Sequence, residues 1–517
     1  MKKLFGIVVL CAVAVSAVAV PARRDGVLRT AEDGTEKVVF LNGDETFHYL
    51  TDENGVWLDE ETLLPMSEEV KGERLKVRGE SKMAKARRAR QETGTERLLA
   101  SRGAVILVSF ADKAFSSSNA DMTQWAMGET YTYNGATGSI RQYFIDQSWG
   151  QYAMEIDVIG PVKVSKSVSY YGKNDYNGDD QHADEMVVEA CKLAHDSLGV
   201  DFSRYDNNGN GKVDWVVILY AGKGEADGGA SSTIWPHQYE LSYTGKSFKL
   251  DGKTVDHYCC LNELDGSTGK RCGIGTFCHE FSHVMGLPDF YATNNARHRT
   301  MCDWDIMDYG PYNNGGNTPP NYSAYERWFM GWFNPKLVNS KCSVILPELH
   351  TSCGAVYMTE DGSAITDILS PMPKVFYLFE NRQQSGWDYY LPGSGMLITK
   401  VNYSVSKWLN NTVNNTSTNL GIDIMEAKTN TSQYARATDL YPKGATEFTK
   451  ITNYQITNIA MENTIVTFDV NGGGKEVNLG VENVQSGDVQ CTKVLIDGKV
   501  VIIRNDVQYD ITGKRLN

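Results

Sequence analysis

The chain has 517 residues, too many for one ordinary domain. With 41% hydrophobic and 22% charged residues it has the composition of a folded globular protein, which excludes disorder along its whole length. A formal net charge of −14 argues against nucleic acid as the main partner, because phosphate binding needs a basic face.

The first segment reads as an export address. Lys2 and Lys3 precede an apolar run over 4–20, and Ala17-Val18-Ala19 offers a small-x-small cleavage site, so residues 1–19 are expected to be a signal peptide. A membrane anchor is disfavoured, since the run is barely long enough and Arg23, Arg24 and Asp25 follow it closely. Cys11 lies too deep in the run for a lipoprotein site, and no other stretch can cross a bilayer. The remaining nine cysteines form no CxxC pair, so a zinc ribbon is not expected; Cys342 and Cys353 are spaced to bridge a local hairpin.

Residues 20–81 alternate short apolar patches with turns such as Asn42-Gly43-Asp44 and Glu53-Asn54-Gly55, which predicts a small β-rich unit. A basic stretch follows, with Lys82, Lys85, Arg87, Arg88, Arg90, Arg97 and Arg102. It reads as a linker, and its place before a hydrophobic strand makes it a candidate processing site. The run 104–110 is continuously apolar and predicts a buried strand. Helical patterns over 139–148 and 183–197 and a second buried strand over 213–220 give an α+β class for 103–335. From 336 to 471 short β-branched and aromatic runs dominate (375–379, 395–401, 464–470), so a mainly β region is expected. Residues 472–517 begin with a triple-glycine linker and hold three short strand-like runs.

The segment from Thr276 to Asp289 carries the most chemistry. His279 and His283 are four apart, so on a helix both imidazoles leave one face and can grip one Zn²⁺. Glu280 would flank that metal and take a proton from water. Gly286 allows the turn out of the helix, Pro288 prevents its continuation, and Asp289 returns as an oxygen ligand. Asp303-Trp304-Asp305-Ile306-Met307-Asp308-Tyr309-Gly310 resembles the Met-turn of the metzincin clan. Met307 is expected beneath the metal, as packing. Tyr309 is the candidate for contacting the metal or the developing oxyanion.

In order along the chain stand Ser139-Ile140-Arg141-Gln142-Tyr143-Phe144, Gln147-Ser148-Trp149-Gly150, Ile234-Trp235-Pro236-His237-Gln238, the HExxHxxGxxD segment, Pro319 to Arg327, and Glu380-Asn381-Arg382-Gln383. Together they resemble the secreted metallopeptidases of the immune inhibitor A type, peptidase family M-six. That resemblance implies a zinc endopeptidase acting on extracellular proteins and peptides, a propeptide that inhibits it intramolecularly, bound calcium, and Asp289 as third ligand. An inactive, adhesin-like binding module is the alternative.

Asp206, Asn208, Asn210 and Asp214 fall at positions one, three, five and nine of an EF-hand-type loop. Gly211 is at six and Lys212 at seven, where a backbone carbonyl serves. Val217 stands where the bidentate Glu belongs, so a calcium ion there would need further oxygens, with Asp175, Asn177, Asp179 and Asp180 as candidates. The segment 20–102 has no cysteine, which rules out a thiol on the metal as its means of inhibition. Gly43 to His48 is the candidate patch instead. The tail's closing Val507-Gln508-Tyr509-Asp510-Ile511-Thr512-Gly513-Lys514-Arg515 resembles the sorting domains of type IX secretion in Bacteroidetes. It implies a bacterial protein, secreted or held at the cell surface.

Overall fold

The computed structural model describes residues 20–31, 33–44, 47–77, 102–175, 179–294, 296–352, 354–479, 491–496, 499–504 and 507–509. The expected signal peptide, most of the basic linker, Glu45 and Thr46 of the candidate patch, Asn177 and Cys353 lie outside these residues.

The amino-terminal unit is a four-stranded antiparallel sheet in sequential order, β1 (Val27–Thr30), β2 (Glu36–Asp44), β3 (Phe47–Thr51) and β4 (Trp57–Leu58). Helix α1 (Glu68–Val77) follows. Its small apolar core of Val27, Val39, Leu41, Leu50, Leu58 and Leu63 is continuous with Val20 and Ala22 before it and with Ala226 and Trp235 of the next unit. Too few residues line this core to support a free-standing sheet, so it is completed by its neighbour.

The next unit is built on the expected apolar strand. Strand β5 (Arg102–Ser109) is buried on both faces from Gly103 to Val108, and such a strand must lie inside a sheet covered on both sides. It pairs in parallel with β6 (Glu155–Lys163) and β7 (Val216–Lys223). Strand β9 (His257–Leu264) adds in parallel beyond β7, and β8 (His237–Glu240) closes the edge antiparallel to β9, giving the order β6-β5-β7-β9-β8. Helices α2 (Asn119–Met127), α3 (Ile140–Gln147) and α4 (Ala183–Leu198) provide the cover. Helices α2 and α3 begin on serine caps, Ser118 and Ser139, whose hydroxyls accept from the third residue on.

Helix α5 (Gly275–Val284) carries the HExxH segment. Phe277 and Phe281 leave the face opposite the two histidines and pack edge-on against Trp125, Phe144 and Trp215. Gly275 is required by a close approach, since a Cβ there would lie 2.0 Å from the Pro311 carbonyl oxygen. The helix ends in a Schellman turn. Gly286, at φ +108°, donates to the His283 carbonyl at 2.9 Å, and Leu287 donates to the Ser282 carbonyl at 3.0 Å.

Helix α6 (Ala324–Phe329) opens with a capping box between Ser323 and Glu326. Two five-stranded sheets follow, one holding Val375–Arg382 and Gly395–Asn402, the other Cys342–Leu346, Tyr454–Glu462 and Ile465–Val470. Glu476–Asn478 pairs with Cys342–Leu346, so the second sheet extends past the triple glycine. One contiguous core runs from Ala104 to Leu440 and joins the first of these sheets to the α/β unit. The tail forms a three-stranded antiparallel sheet of Cys491–Ile496, Lys499–Arg504 and Val507–Tyr509. The described chain is thus a mixed α/β protein of several sheets, and no described helix is long and apolar enough to cross a membrane.

Candidate metal centre and the cleft above it

The turn after α5 brings Asp289 back beneath the two histidines. Nε2 of His279 and Nε2 of His283 lie 3.0 Å apart, and Oδ1 of Asp289 is 3.2 Å from each. All three residues are buried and form the one group of metal-ligating side chains found among the described residues. A tetrahedral ion with bonds of about 2.0–2.1 Å would hold its ligand atoms roughly 3.3 Å apart, so the spacing fits a zinc-sized ion with little adjustment.

The orientation of each ligand has a local cause. Nδ1 of His279 donates to the Ile306 carbonyl at 2.7 Å, and Nδ1 of His283 donates to the Leu287 carbonyl at 2.7 Å. With Nδ1 carrying the proton, each Nε2 keeps its lone pair for a cation. Asp289 is held by Asn411 from the β-rich region. Its backbone N–H donates to Asn411 Oδ1 at 2.6 Å, and Asn411 Nδ2 donates to Asp289 Oδ2. Burial would raise the Asp289 carboxyl, but His283 and His279 beside it hold it well below the usual carboxylate range. Burial and the neighbouring His279 lower His283 and favour the neutral imidazole that ligates a metal.

Met307 is fully buried, and the backbone around it organises the site. The Ile306 carbonyl takes His279, the Met307 carbonyl accepts Phe290 N–H at 2.7 Å, and Asp305 Oδ1 accepts Met307 N–H at 2.8 Å. Beneath this turn, Arg382 grips Asp388 through two hydrogen bonds of 2.7 Å and Glu380 through one of 3.0 Å. Its Nη1 also donates to the Trp304 carbonyl. Arg327 reaches Gln147 on α3, whose Oε1 accepts the Tyr322 N–H at 2.9 Å. Motif residues outside the histidine helix thus form a buried polar frame around the turn at Met307.

Glu280 is fully buried, and its Oε1 accepts the backbone N–H of Val20 at 2.8 Å. Trp235 Nε1 donates to the Val20 carbonyl at 3.3 Å, and the Tyr312 hydroxyl donates to the Pro21 carbonyl at 2.7 Å. The Arg24 guanidinium sits 3.3 Å from the centroid of the Tyr309 ring. Burial raises the Tyr309 hydroxyl, and Arg24 opposes that. Burial also pushes the adjacent Asp308 up to about 7, again with Arg24 opposing.

Within the candidate patch from Gly43 to His48, the contacts run to the wall of the cleft. His48 Nε2 is 3.2 Å from Glu225 and its ring stacks on Trp235 at 4.6 Å, while the Gly43 carbonyl accepts Ala22 N–H. The loop over 206–214 has its carboxylates engaged by protein donors. Asp206 Oδ2 accepts from Lys253 Nζ at 2.7 Å, and Asp214 Oδ2 accepts from Asn207 N and Nδ2 at 2.8 and 2.7 Å. Asn208 and Asn210 accept from the backbone of Asn210 and Lys212 within the turn. Asp175 and Asp179 bond each other's backbone, and Asp180 accepts from Trp235 N at 3.1 Å, beside Glu225. Sequence reasoning missed Asn411, Trp235 and Tyr312 as site residues. Trp235 lay in a motif used only for resemblance, and Asn411 is 122 residues from its partner with no local pattern to mark it.

Residues 100–333 match the immune inhibitor A peptidase M6 catalytic domain. The pre-pro-metalloprotease PrtV of Vibrio cholerae serotype O1 is 28% identical over 245 residues, 43% of this chain and 25% of the relative, with the same figures in two strains. Immune inhibitor A of Bacillus thuringiensis subsp. alesti is 27% identical over 225 residues, 37% of this chain and 31% of the relative. The alignments thus span only a quarter to a third of these curated relatives. The stretch 100–333, which holds the central sheet, α5 and the His279–His283–Asp289 cluster, is thus the part of this chain that is similar to the immune inhibitor A peptidase M6 catalytic domain.

Proposed function

We propose that the chain is an exported zinc-dependent endopeptidase, made as a zymogen and acting on extracellular proteins. The observation that carries this reading is the convergence of His279 Nε2, His283 Nε2 and Asp289 Oδ1 at tetrahedral spacing, with Glu280 next to the first ligand. A zinc ion held there would supply Lewis acidity and lower the pKa of a water toward neutrality. Glu280 takes a proton from the attacking water and passes it to the leaving amine. Tyr309, once Arg24 has left its ring, donates a hydrogen bond to the oxyanion. Met307 acts through the backbone that holds His279.

Activation fits a cut in the basic stretch after Arg87, Arg88, Arg90 or Arg97. A cut after Arg102 would fall inside β5, where its side chain pairs with Asp157 at 2.9 Å and Glu155 at 3.0 Å. Calcium at the 206–214 loop belongs to the same reading, and its binding would require Lys253 to leave Asp206.

The test is made on trypsin-treated protein with a casein substrate and zinc content by atomic emission. Glu280→Gln should keep its zinc and lose roughly 10²–10⁴-fold in rate. His279→Ala should lose both zinc and activity. Full activity in Glu280→Gln would refute the mechanism.

A further inference from the structure

The turn that aims His279 rests on two carboxyl groups, Asp305 and Glu326, both fully buried. Oδ1 of Asp305 accepts Met307 N–H at 2.8 Å, next to the Ile306 carbonyl that takes His279 Nδ1. Oε2 of Glu326 accepts Ser323 N–H at 2.6 Å and the Ser323 hydroxyl at 2.9 Å, which closes the capping box of α6. The remaining oxygens, Asp305 Oδ2 and Glu326 Oε1, meet no donor among the described residues, yet the two side chains hydrogen-bond each other.

Two carboxylates have no hydrogen to share, and two negative charges in contact at a buried site cannot both persist. One proton therefore lies between them. Burial, and then the charge of Asp305, raise Glu326 well above the ordinary carboxyl range. Burial raises Asp305 too, but Met307 N–H, Glu326 and Arg382 oppose it. Glu326 is thus the neutral acid and Asp305 the carboxylate that accepts from it. Around the pair stand Asp308 on the same turn, Glu380, Arg382 and Asp388 of the β-rich region, and the hydroxyls of Tyr143, Tyr322 and Tyr325. Burial raises those three hydroxyls well above their usual value, so they stay neutral beside the pair.

Resting on the peptidase reading, we propose that Glu326 is a positioning residue of the metal centre: as a neutral acid it donates to Asp305 and so ties α6 to the turn whose Ile306 carbonyl orients His279. Loss of that one proton sets two buried carboxylates against each other. The repulsion pushes Asp305 off Met307 N–H and loosens the carbonyl that holds His279. An acid raised in this way binds its proton more tightly in the folded chain than in the unfolded one. Its contribution is therefore complete at acid pH and is lost as pH rises through the folded-state value.

The test reads zinc affinity by competition with a chromophoric chelator, at neutral and at alkaline pH. Glu326→Gln keeps the capping box and donates permanently to Asp305 through Nε2. It should bind zinc within twofold of wild type at neutral pH and roughly tenfold more tightly at alkaline pH, the scale of losing a group that orients a ligand. Asp308 and Glu380 titrate in both proteins and cancel in the ratio. Glu326→Ala, which leaves Asp305 without its donor, should bind roughly tenfold more weakly at neutral pH, with a melting curve of the zinc-free protein to show that it folds. An infrared difference spectrum, wild type minus Glu326→Gln, should show the carbonyl band of a neutral carboxylic acid at neutral pH. A spectrum without that band would refute the neutral acid, and a ratio that does not change with pH would refute the alkaline release. A folded Glu326→Ala with wild-type zinc affinity would refute the positioning role. Wild type that binds no zinc at any pH would instead break the underlying peptidase reading.

Discussion

Asn411→Ala tests how the β-rich region serves the metal centre. Asn411 is fully buried, 122 residues from Asp289, and grips it twice, through Oδ1 on the backbone N–H and Nδ2 on the carboxylate. Truncation removes both contacts and leaves a buried amide and one carboxylate oxygen without these partners. Each such loss costs about 1–3 kcal/mol. Part of that falls on the ligand itself, since an unheld carboxylate must be ordered when the metal binds. Loss of a group that orients a metal ligand weakens binding by about 10–100-fold, or roughly 1.4–2.7 kcal/mol. Asn411→Asp should be worse than Asn411→Ala, because it keeps the shape but sets a second carboxylate against Asp289 at hydrogen-bond distance. Zinc affinity is read by competition with a chromophoric chelator, alongside a melting curve of the zinc-free protein. Variants that fold and bind zinc within twofold of wild type would refute the idea that Asn411 positions Asp289.

The other expectations can be checked separately. His48 is raised to about 9, because Glu225 at 3.2 Å outweighs the burial that would lower it. Its charged pair should therefore stabilise the folded full chain fully below pH 6.5, and that stabilisation should fade as pH rises through about 9. The melting-temperature gap between wild type and His48→Gln should close over that window, and a gap independent of pH would refute it. If the 206–214 loop binds calcium, the ion should raise the melting temperature of wild type but not of Asp206→Ala/Asp214→Ala; identical curves would leave a plain turn. Trypsin should cut the full chain within 87–97 and raise activity, with β5 intact from Arg102. Full activity of the uncut chain would refute latency.

The HExxHxxGxxD segment was legible because its meaning is local. Helical periodicity alone puts His279 and His283 on one face and Phe277 and Phe281 on the other, and Gly286 announces the left-handed turn that sends Asp289 back. The buried strands at 102–109 and 216–223 were legible for a similar reason, since an uninterrupted apolar run admits few other readings. What holds the site is long-range and leaves no periodic trace. The histidines are aimed by the carbonyls of Ile306 and Leu287, and a carbonyl is present at every residue whatever the side chain. Asn411 reaches Asp289 from a turn after the short helix Val405–Leu409, and Arg382, legible in the sequence only within a motif, props the turn at Met307 from the end of its strand. Val20 is the clearest case. From sequence it was only the first residue after the expected export address, and the packing of the first unit against Ala226 and Trp235 lays its nitrogen on Glu280, 260 residues away. Local covalent geometry determines which residues share a face, but which faces meet depends on burying apolar surface across the whole chain, and that is decided only when the chain has folded.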